Sequence, residues 1–91
     1  MASELSLPRH LSSETPRVLV VDGSKLVRRM IEGLLKAELP GCVVLSCETG
    51  AAAQRELESG VVDLVTTALS LPDMDGVELA HHVREYSPQA Y

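Results

Sequence analysis

The sequence predicts an α/β fold, a parallel β-sheet flanked by helices, and two observations carry this prediction. Three short runs rich in branched apolar residues, typical of buried strands, alternate with three segments whose apolar residues recur every three or four positions, typical of helices. The strand–helix unit therefore occurs three times with short connections, an order that calls for a parallel sheet with right-handed crossovers. We expect about three strands and three helices.

The first strand is predicted over Arg17–Val21, because its last four residues form a continuous apolar run suited to a strand covered on both faces. It ends at Asp22-Gly23-Ser24, where Ser24 is a good N-cap for the following helix. Pro40-Gly41 ends that helix. The apolar positions of the helix are Val27, Met30, Ile31, Leu34 and Leu35.

The second strand is predicted over Cys42–Cys47, and Gly50 leads into an Ala-rich helix that runs to about Glu58 and is closed by Ser59-Gly60. The two cysteines are five residues apart, and an odd separation along a strand places side chains on opposite faces. We therefore expect no disulfide between them. Free cysteines fit a reducing cytoplasm.

The third strand is predicted over Val61–Thr67, a run rich in β-branched residues. Turn-forming residues at Ser70-Leu71-Pro72-Asp73 end it, and Asp75 caps a helix predicted to run to about Glu85. In an α/β sheet, ligands and catalytic groups gather in the loops after the carboxyl ends of strands. The residue at this point is Ala68, whose side chain offers no chemistry.

Composition and charge exclude several kinds of function. The chain has 91 residues, enough for one small domain, and its net charge of -5 argues against direct binding of nucleic acid or of an anionic membrane. We find no signal peptide and no apolar run long enough to span a membrane. Residues Met1–Pro16 are rich in Ser, Thr, Glu and Pro, and are predicted to form a flexible leader before a domain over residues 17–91. A short docking segment is the alternative for the leader.

Two segments resemble the receiver domains of bacterial two-component response regulators. The segment RVLVVDGSKLVRRMIEGLL, from Arg17, is similar to the opening strand, acidic pair and first helix of that family. The segment DLVTTALSLPDMDGVELAHHVR, from Asp63, is similar to its third strand, phosphorylation loop and third helix. The resemblance extends to about Tyr86 and implies a flavodoxin-like doubly wound fold, which agrees with the order of elements predicted above.

The resemblance implies a pocket of carboxylates that holds magnesium beside a phosphorylatable aspartate. In this sequence the first acidic position is Asp22, the second is Gly23, and the phosphoacceptor position is Ala68. We therefore expect the magnesium site to be lost and no phosphoryl group to be accepted, so that the chain needs no cofactor. The remaining pocket loop consists of Ser70, where a backbone carbonyl would complete the metal shell, Leu71, which replaces the usual Met, and Pro72.

Three other aspartates are candidates for a substitute acceptor. Asp63 begins its strand, roughly 16 Å from Ala68 at the opposite end of the sheet. Asp73 and Asp75 follow Pro72 in the loop, where turn formation and helix capping are their expected roles. Phosphorylation at one of these residues stays open as an alternative.

The resemblance also predicts how the chain associates. In the family's strand order, 2-1-3-4-5, the third strand is central, and the fourth would start near Ser87–Tyr91. We therefore expect residues 61–67 to form an exposed edge, through which the chain makes a homo-oligomer or an element-swapped dimer. Two further features are expected to be solvated helix faces rather than sites: the pair His81-His82, which cannot chelate one metal, and the pair Arg28-Arg29.

Three hypotheses for function follow. The first is a phosphorylation-incompetent, receiver-like signalling module of the cytoplasm. It would act by contact with a signalling or output domain, without enzymatic activity, as the N-terminal regulatory part of a larger two-component-type protein. The second is a receiver that is still phosphorylated in a phosphorelay at a non-standard Asp. The third is an unrelated nucleotide- or flavin-binding α/β fragment.

Overall fold

The computed structural model describes residues 15–91, so that the predicted leader, Met1–Pro16, lies outside the described residues except for its last two. The described chain has the predicted order of three strands and three helices. The elements are β1 Arg17–Val21, α1 Lys25–Glu38, β2 Val43–Cys47, α2 Gly50–Ser59, β3 Leu64–Thr67 and α3 Gly76–Tyr86. Pro16 is buried, and its carbonyl oxygen accepts a hydrogen bond from the Val43 amide, so strand pairing begins one residue before β1.

The sheet is parallel, with the strands in the order β2-β1-β3. β1 is central, and Val18 pairs with Val44 on one side and with Leu64 on the other. The four residues from Val18 to Val21 are at most 1% exposed. This burial explains why these four residues are all apolar: both faces of the strand are covered there.

Two apolar clusters lie on opposite faces of the sheet. On one face, Leu19 and Val21 of β1 pack in a cluster with residues of α2 and α3, among them Ala53, Leu57 and Leu79. On the other face, Val18 and Val20 pack with Leu35 of α1 and with Leu64. Cys47 belongs to the first cluster and Cys42 packs against the second. Both thiols are free, which confirms the prediction of no disulfide.

The predicted helix caps are confirmed. The Ser24 hydroxyl accepts from the Val27 amide at 3.2 Å and begins α1. The Asp75 carboxylate accepts from the Glu78 amide at 2.7 Å and begins α3. Each cap satisfies an amide that has no acceptor within its own helix.

β3 is shorter than predicted and begins at Leu64 rather than Val61. Two backbone groups of the residues before it, at Val61 and Val62, bond to side chains rather than to a neighbouring strand. The Val61 carbonyl accepts from an Arg17 Nη1 group at 3.1 Å, and the Val62 amide donates to Ser87 Oγ at 3.0 Å. The prediction was wrong here because β-branched residues suit a strand but do not decide where its backbone finds partners.

β3 lies at the edge of the sheet as expected, but the start of that edge is covered. The Tyr91 amide donates to the Asp63 carbonyl at 3.0 Å, and the Tyr91 carbonyl accepts from the Val65 amide at 2.7 Å. Because backbone groups alternate in direction along a strand, the Val65 carbonyl and the Thr67 amide also point away from β1. The expectation of an exposed edge over residues 61–67 is thus corrected: Tyr91 pairs with its first part.

The length and polarity of the helices bear on membrane association. Of the helices in residues 15–91, none is both long enough and apolar enough to cross a bilayer.

Candidate functional site

The carboxyl edge of the sheet brings together the residues singled out from the sequence. Val21 pairs with Thr67, and the Ala68 amide donates to the Val21 carbonyl at 2.9 Å. Asp22 and Ala68 each follow one of these paired strand ends, so they lie side by side. A Cβ atom added to Gly23 would lie 3.5 Å from the ring of Pro72, which places the β3–α3 loop over the same pocket.

Asp22 is half-buried and is held by its own loop. Its Oδ1 atom accepts from the Ser24 amide at 2.8 Å, as expected for an Asp that stabilises a turn two residues ahead. Its backbone carbonyl accepts from Nη1 of Arg28 at 2.7 Å. Asp22 therefore acts as a hydrogen-bond acceptor within its own loop.

Arg28 has a structural role that sequence reasoning missed. It is half-buried rather than solvated, and its Nε group donates to Ser46 Oγ of β2 at 2.9 Å in addition to the bond with the Asp22 carbonyl. The guanidinium therefore ties the loop after β1 to the neighbouring strand. The available signal was position: Arg28 lies in the first turn of α1, close to the strand ends.

The backbone of the β3–α3 loop passes close to the start of α3. A Cβ atom at Gly76 would lie 2.5 Å from the Ala68 carbonyl oxygen, a distance that no real side chain tolerates, so this position requires Gly. The Gly76 amide donates to the Leu69 carbonyl at 2.8 Å, and the Leu71 amide donates to the Met74 carbonyl at 2.9 Å. Leu71 is buried and Ser70 is exposed. The loop is thus fixed around Ala68 by backbone bonds.

Asp73 joins this loop to α2. Its two carboxylate oxygens accept from the Gly50 amide at 2.8 Å and from the Ala51 amide at 2.9 Å. These bonds, that from Gly50 foremost, lower the pKa of the Asp73 carboxyl because they favour its charged form. Asp73 therefore caps a helix, as expected, but the helix lies 23 residues earlier in the chain. Met74 next to it lies where any side chain at Gly50 would have to go.

Asp63 lies at the other end of the sheet. Its Oδ2 atom accepts from the Arg17 amide at 2.8 Å, at the start of β1, whereas the pocket is at the end of that strand. Together with the capping bonds of Asp73 and Asp75, this gives each of the three substitute aspartates a structural hydrogen bond.

The three pocket positions Asp22, Gly23 and Ala68 supply one side-chain carboxylate. Magnesium requires several oxygen ligands in octahedral geometry, and a protein usually supplies one or two carboxylates among them. Asp22 is the carboxylate among these positions and has one oxygen bonded to a backbone amide, while Gly23 and Ala68 have no side-chain oxygen. Among residues 15–91, no three His, Cys, Asp or Glu side chains are grouped so that they could hold a metal ion.

Comparisons with known proteins show the family to which this fold belongs. A family model of the response regulator receiver domain matches residues 18–91. A protein-glutamate methylesterase/protein-glutamine glutaminase of Koribacter versatilis is 39% identical over 67 residues, which are 74% of this chain and 18% of that protein. The chemotaxis protein CheY of Bacillus subtilis is 32% identical over 74 residues, 81% of this chain and 61% of that protein. The chain thus spans about a fifth of the first of these relatives and under two thirds of the second.

Solved structures show the same fold. The crystal structure of the response regulator TrrA of Thermotoga maritima, determined with Mg²⁺ and BeF, superimposes with a TM-score of 0.73 at 30% identity. The superposition covers 84% of this chain and 64% of TrrA. The fold is therefore the flavodoxin-like α/β fold, represented here by three parallel strands and three helices. The chain belongs to the response regulator receiver domain family and is a receiver domain of the two-component signalling type.

Proposed function

We propose that this receiver domain accepts no phosphoryl group and acts in signalling through protein–protein contact. The observation that carries the proposal is Ala68, which occupies the phosphoacceptor position and lies beside Asp22 at the carboxyl edge. Phosphoryl transfer to a protein needs a nucleophilic oxygen and cations that neutralise the phosphoryl charge. The methyl group of Ala68 supplies no nucleophile, and the pocket lacks the carboxylates that would hold the metal ion.

The other aspartates support the same proposal. Both carboxylate oxygens of Asp73 already accept from helix amides, so phosphorylation there would have to displace the bond to Gly50 or the bond to Ala51. Asp75 uses its Oδ1 atom to cap α3, so it too already has a structural role.

The proposal is tested by incubating the chain with acetyl phosphate and magnesium and measuring its intact mass. We expect no adduct, whereas phosphorylation would add about 80 Da. The variants Asp73→Asn and Asp75→Asn serve as matched controls. A wild-type adduct that one of these variants abolishes would overturn the proposal in favour of a receiver phosphorylated at a non-standard Asp.

The partner class is also a proposal. The methylesterase relatives are about five times longer than the segment they share with this chain, so a receiver of this kind is joined to other domains there. We propose that this chain likewise contacts a signalling or output domain, as a regulatory module without catalysis of its own. A cytoplasmic location stays a prediction.

A further inference from the structure

The outer side of β2 presents backbone groups that β1 does not use. In the parallel ladder with β1, the Val43 amide donates to the Pro16 carbonyl at 2.8 Å. Because backbone groups alternate in direction along a strand, the amides and carbonyls of Val44 and Ser46 point away from β1. Within residues 15–91 no other group bonds to them. This edge of the sheet therefore offers two donors and two acceptors to a further strand.

β2 is an edge strand whatever the number of strands on the other side of the sheet. The described strands lie in the order β2-β1-β3, and in the order 2-1-3-4-5 of the flavodoxin-like fold the second strand is again outermost. Edge strands usually carry a charged residue, a proline or a bulge that prevents pairing with another chain. The sequence of β2, VVLSC, has neither a charge nor a proline, and its five residues pair with β1 without a bulge. The edge is thus open to pairing.

The α1 helix carries a row of alternating charges beside this edge. The residues of the row are spaced four apart, so they lie along one flank of the helix: Arg28, Glu32 and Lys36. At one end of the row, Arg28 donates to Ser46 Oγ of β2 at 2.9 Å. At the other end, the Leu35 carbonyl oxygen lies 4.0 Å from Cys42 Sγ, just before β2. The row therefore runs along β2 in the opposite direction to the strand.

These two contacts fix which residues of the helix and of the strand lie level. The row is about 12 Å long, and the four residues between its contacts on the strand side span about 13 Å. Glu32, in the middle of the row, is therefore level with Val44, and Lys36 is level with Cys42. Glu48 is exposed one residue after β2, and the alternation of side chains places it on the same face of the sheet as Val44.

We propose that two copies of this chain associate through β2, with the two strands antiparallel about a two-fold axis normal to the sheet. Leu45, the middle residue of the strand, then lies opposite the partner's Leu45. Val44 and the partner's Ser46 exchange two backbone hydrogen bonds, and the symmetry repeats them, so all the outward groups of both strands are satisfied. The two sheets become one sheet of six strands. This edge is opposite to residues 61–67, through which the sequence predicted association.

The two-fold axis brings opposite charges together. A position that precedes Leu45 along the strand lies opposite the position that follows it by the same number of residues in the partner. Glu32, level with the residue before Leu45, faces the partner's Arg28. Lys36, three positions before, faces the partner's Glu48, three positions after. Since Lys36 also pairs with Glu32 of its own helix at 2.9 Å, these charges form one network on each side of the axis.

The two α1 helices lie close enough for these pairs to form. α1 packs on Val18 and Val20 of β1 and on Val44 of β2, so its axis lies above these two strands. Neighbouring strands are about 4.8 Å apart, which places the two helix axes about 10–15 Å from each other. Long charged side chains span such a distance. On the other face of the sheet, the half-buried side chain of Leu45 meets that of the partner's Leu45.

The first test places charge at the two-fold axis. Leu45→Lys and Leu45→Glu each set like charges side by side in a homodimer, whereas an equimolar mixture sets opposite charges side by side. We expect sedimentation of the 91-residue chain across a concentration series to show a dimer. Either variant alone should raise the dissociation constant by about tenfold or more, and the mixture should recover the association. Circular dichroism checks that both variants fold.

The second test addresses the register at an exposed residue. Glu48→Lys sets a cation against the partner's Lys36 and should weaken the dimer, while the double variant Glu48→Lys/Lys36→Glu exchanges the two charges and should restore it. The matched control is Glu78→Lys, the same change of charge at an exposed position of α3, which should leave the dissociation constant unchanged.

Several outcomes would overturn the proposal. A wild-type chain that stays monomeric at the highest concentration contradicts it, and so does a mixture of the Leu45 variants that associates no better than each alone. A monomer whose Val44 and Ser46 amides are protected from hydrogen exchange also contradicts it, because another segment would then cover the edge. The inference goes beyond the proposed function, and these outcomes leave the phosphorylation test unaffected, because that test measures mass and not assembly.

Discussion

The pocket positions and the β3–α3 loop beside them share one edge of the sheet. They differ in the contacts that their residues make. In the pocket, Gly23 and Ala68 present no polar side-chain atoms. In the loop, Asp73 makes two capping bonds to α2, and Gly76 occupies a position too close to the Ala68 carbonyl for any side chain. The difference teaches that the loop around a receiver pocket can be held by contacts that do not involve a side chain at the acceptor position.

The largest loss of stability is expected on substitution of Gly76. The variant Gly76→Ala places a Cβ atom against the Ala68 carbonyl oxygen and must displace the loop or the start of α3. We expect a loss of about 2–4 kcal/mol in the free energy of unfolding, measured by urea titration. The matched control is Gly33→Ala in α1, where the added Cβ meets nothing and helix propensity should add about 1 kcal/mol. Equal effects of the two variants would contradict the account.

A smaller effect is expected at Asp73, and it should depend on pH. Because the pKa of the folded-state carboxyl is lowered, its contribution to stability is present above the unfolded-state pKa, near about 4, and is lost as the pH falls through the folded-state pKa. The stability difference between the wild type and Asp73→Asn should therefore shrink below pH of about 4. Urea titrations at several pH values measure it, and a difference that grows on acidification would contradict the capping role.

Whether the sequence predicts a contact of these loops depends on how far apart its two partners lie along the chain. The Ser24 and Asp75 caps were predicted because donor and acceptor are three residues apart, and the order of elements followed from periodicity. The bond between Asp73 and α2 spans 23 residues. The sequence predicted that Asp73 would form a turn or cap a helix, but not which helix. Arg28 was missed for the same reason, since its partner Ser46 lies on another strand.

The third strand and the family assignment give two further lessons. The start of the strand was predicted three residues too early, because the Val61 carbonyl and the Val62 amide have side-chain partners that local sequence does not reveal. The match of a receiver-domain model to residues 18–91 excludes the hypothesis of an unrelated nucleotide- or flavin-binding fragment. In the sequence, the motif around the β3–α3 loop separated a receiver from such a fragment, because residue propensity and periodicity alone fit many α/β folds.

The smallest effect is expected within the pocket itself. In Gly23→Ala the new Cβ lies at an ordinary contact distance of 3.5 Å from Pro72, so the free energy of unfolding should change by no more than about 0.5 kcal/mol. Thermal melting compared with Gly76→Ala checks this. A loss of unfolding free energy as large as that of Gly76→Ala would show that Gly23, like Gly76, is needed to hold the loops in place.

The central claim is that the loops around the receiver pocket are held in place, while the carboxylates that would bind magnesium and accept a phosphoryl group are missing from Gly23 and Ala68. A magnesium titration followed by NMR of the Asp22 and Ala68 amides tests it most directly, on the wild type and on the double variant Gly23→Asp/Ala68→Asp. The account predicts no saturable shift in the wild type and a saturable shift in the double variant, which regains the carboxylates. Saturable binding at these amides in the wild type would contradict it.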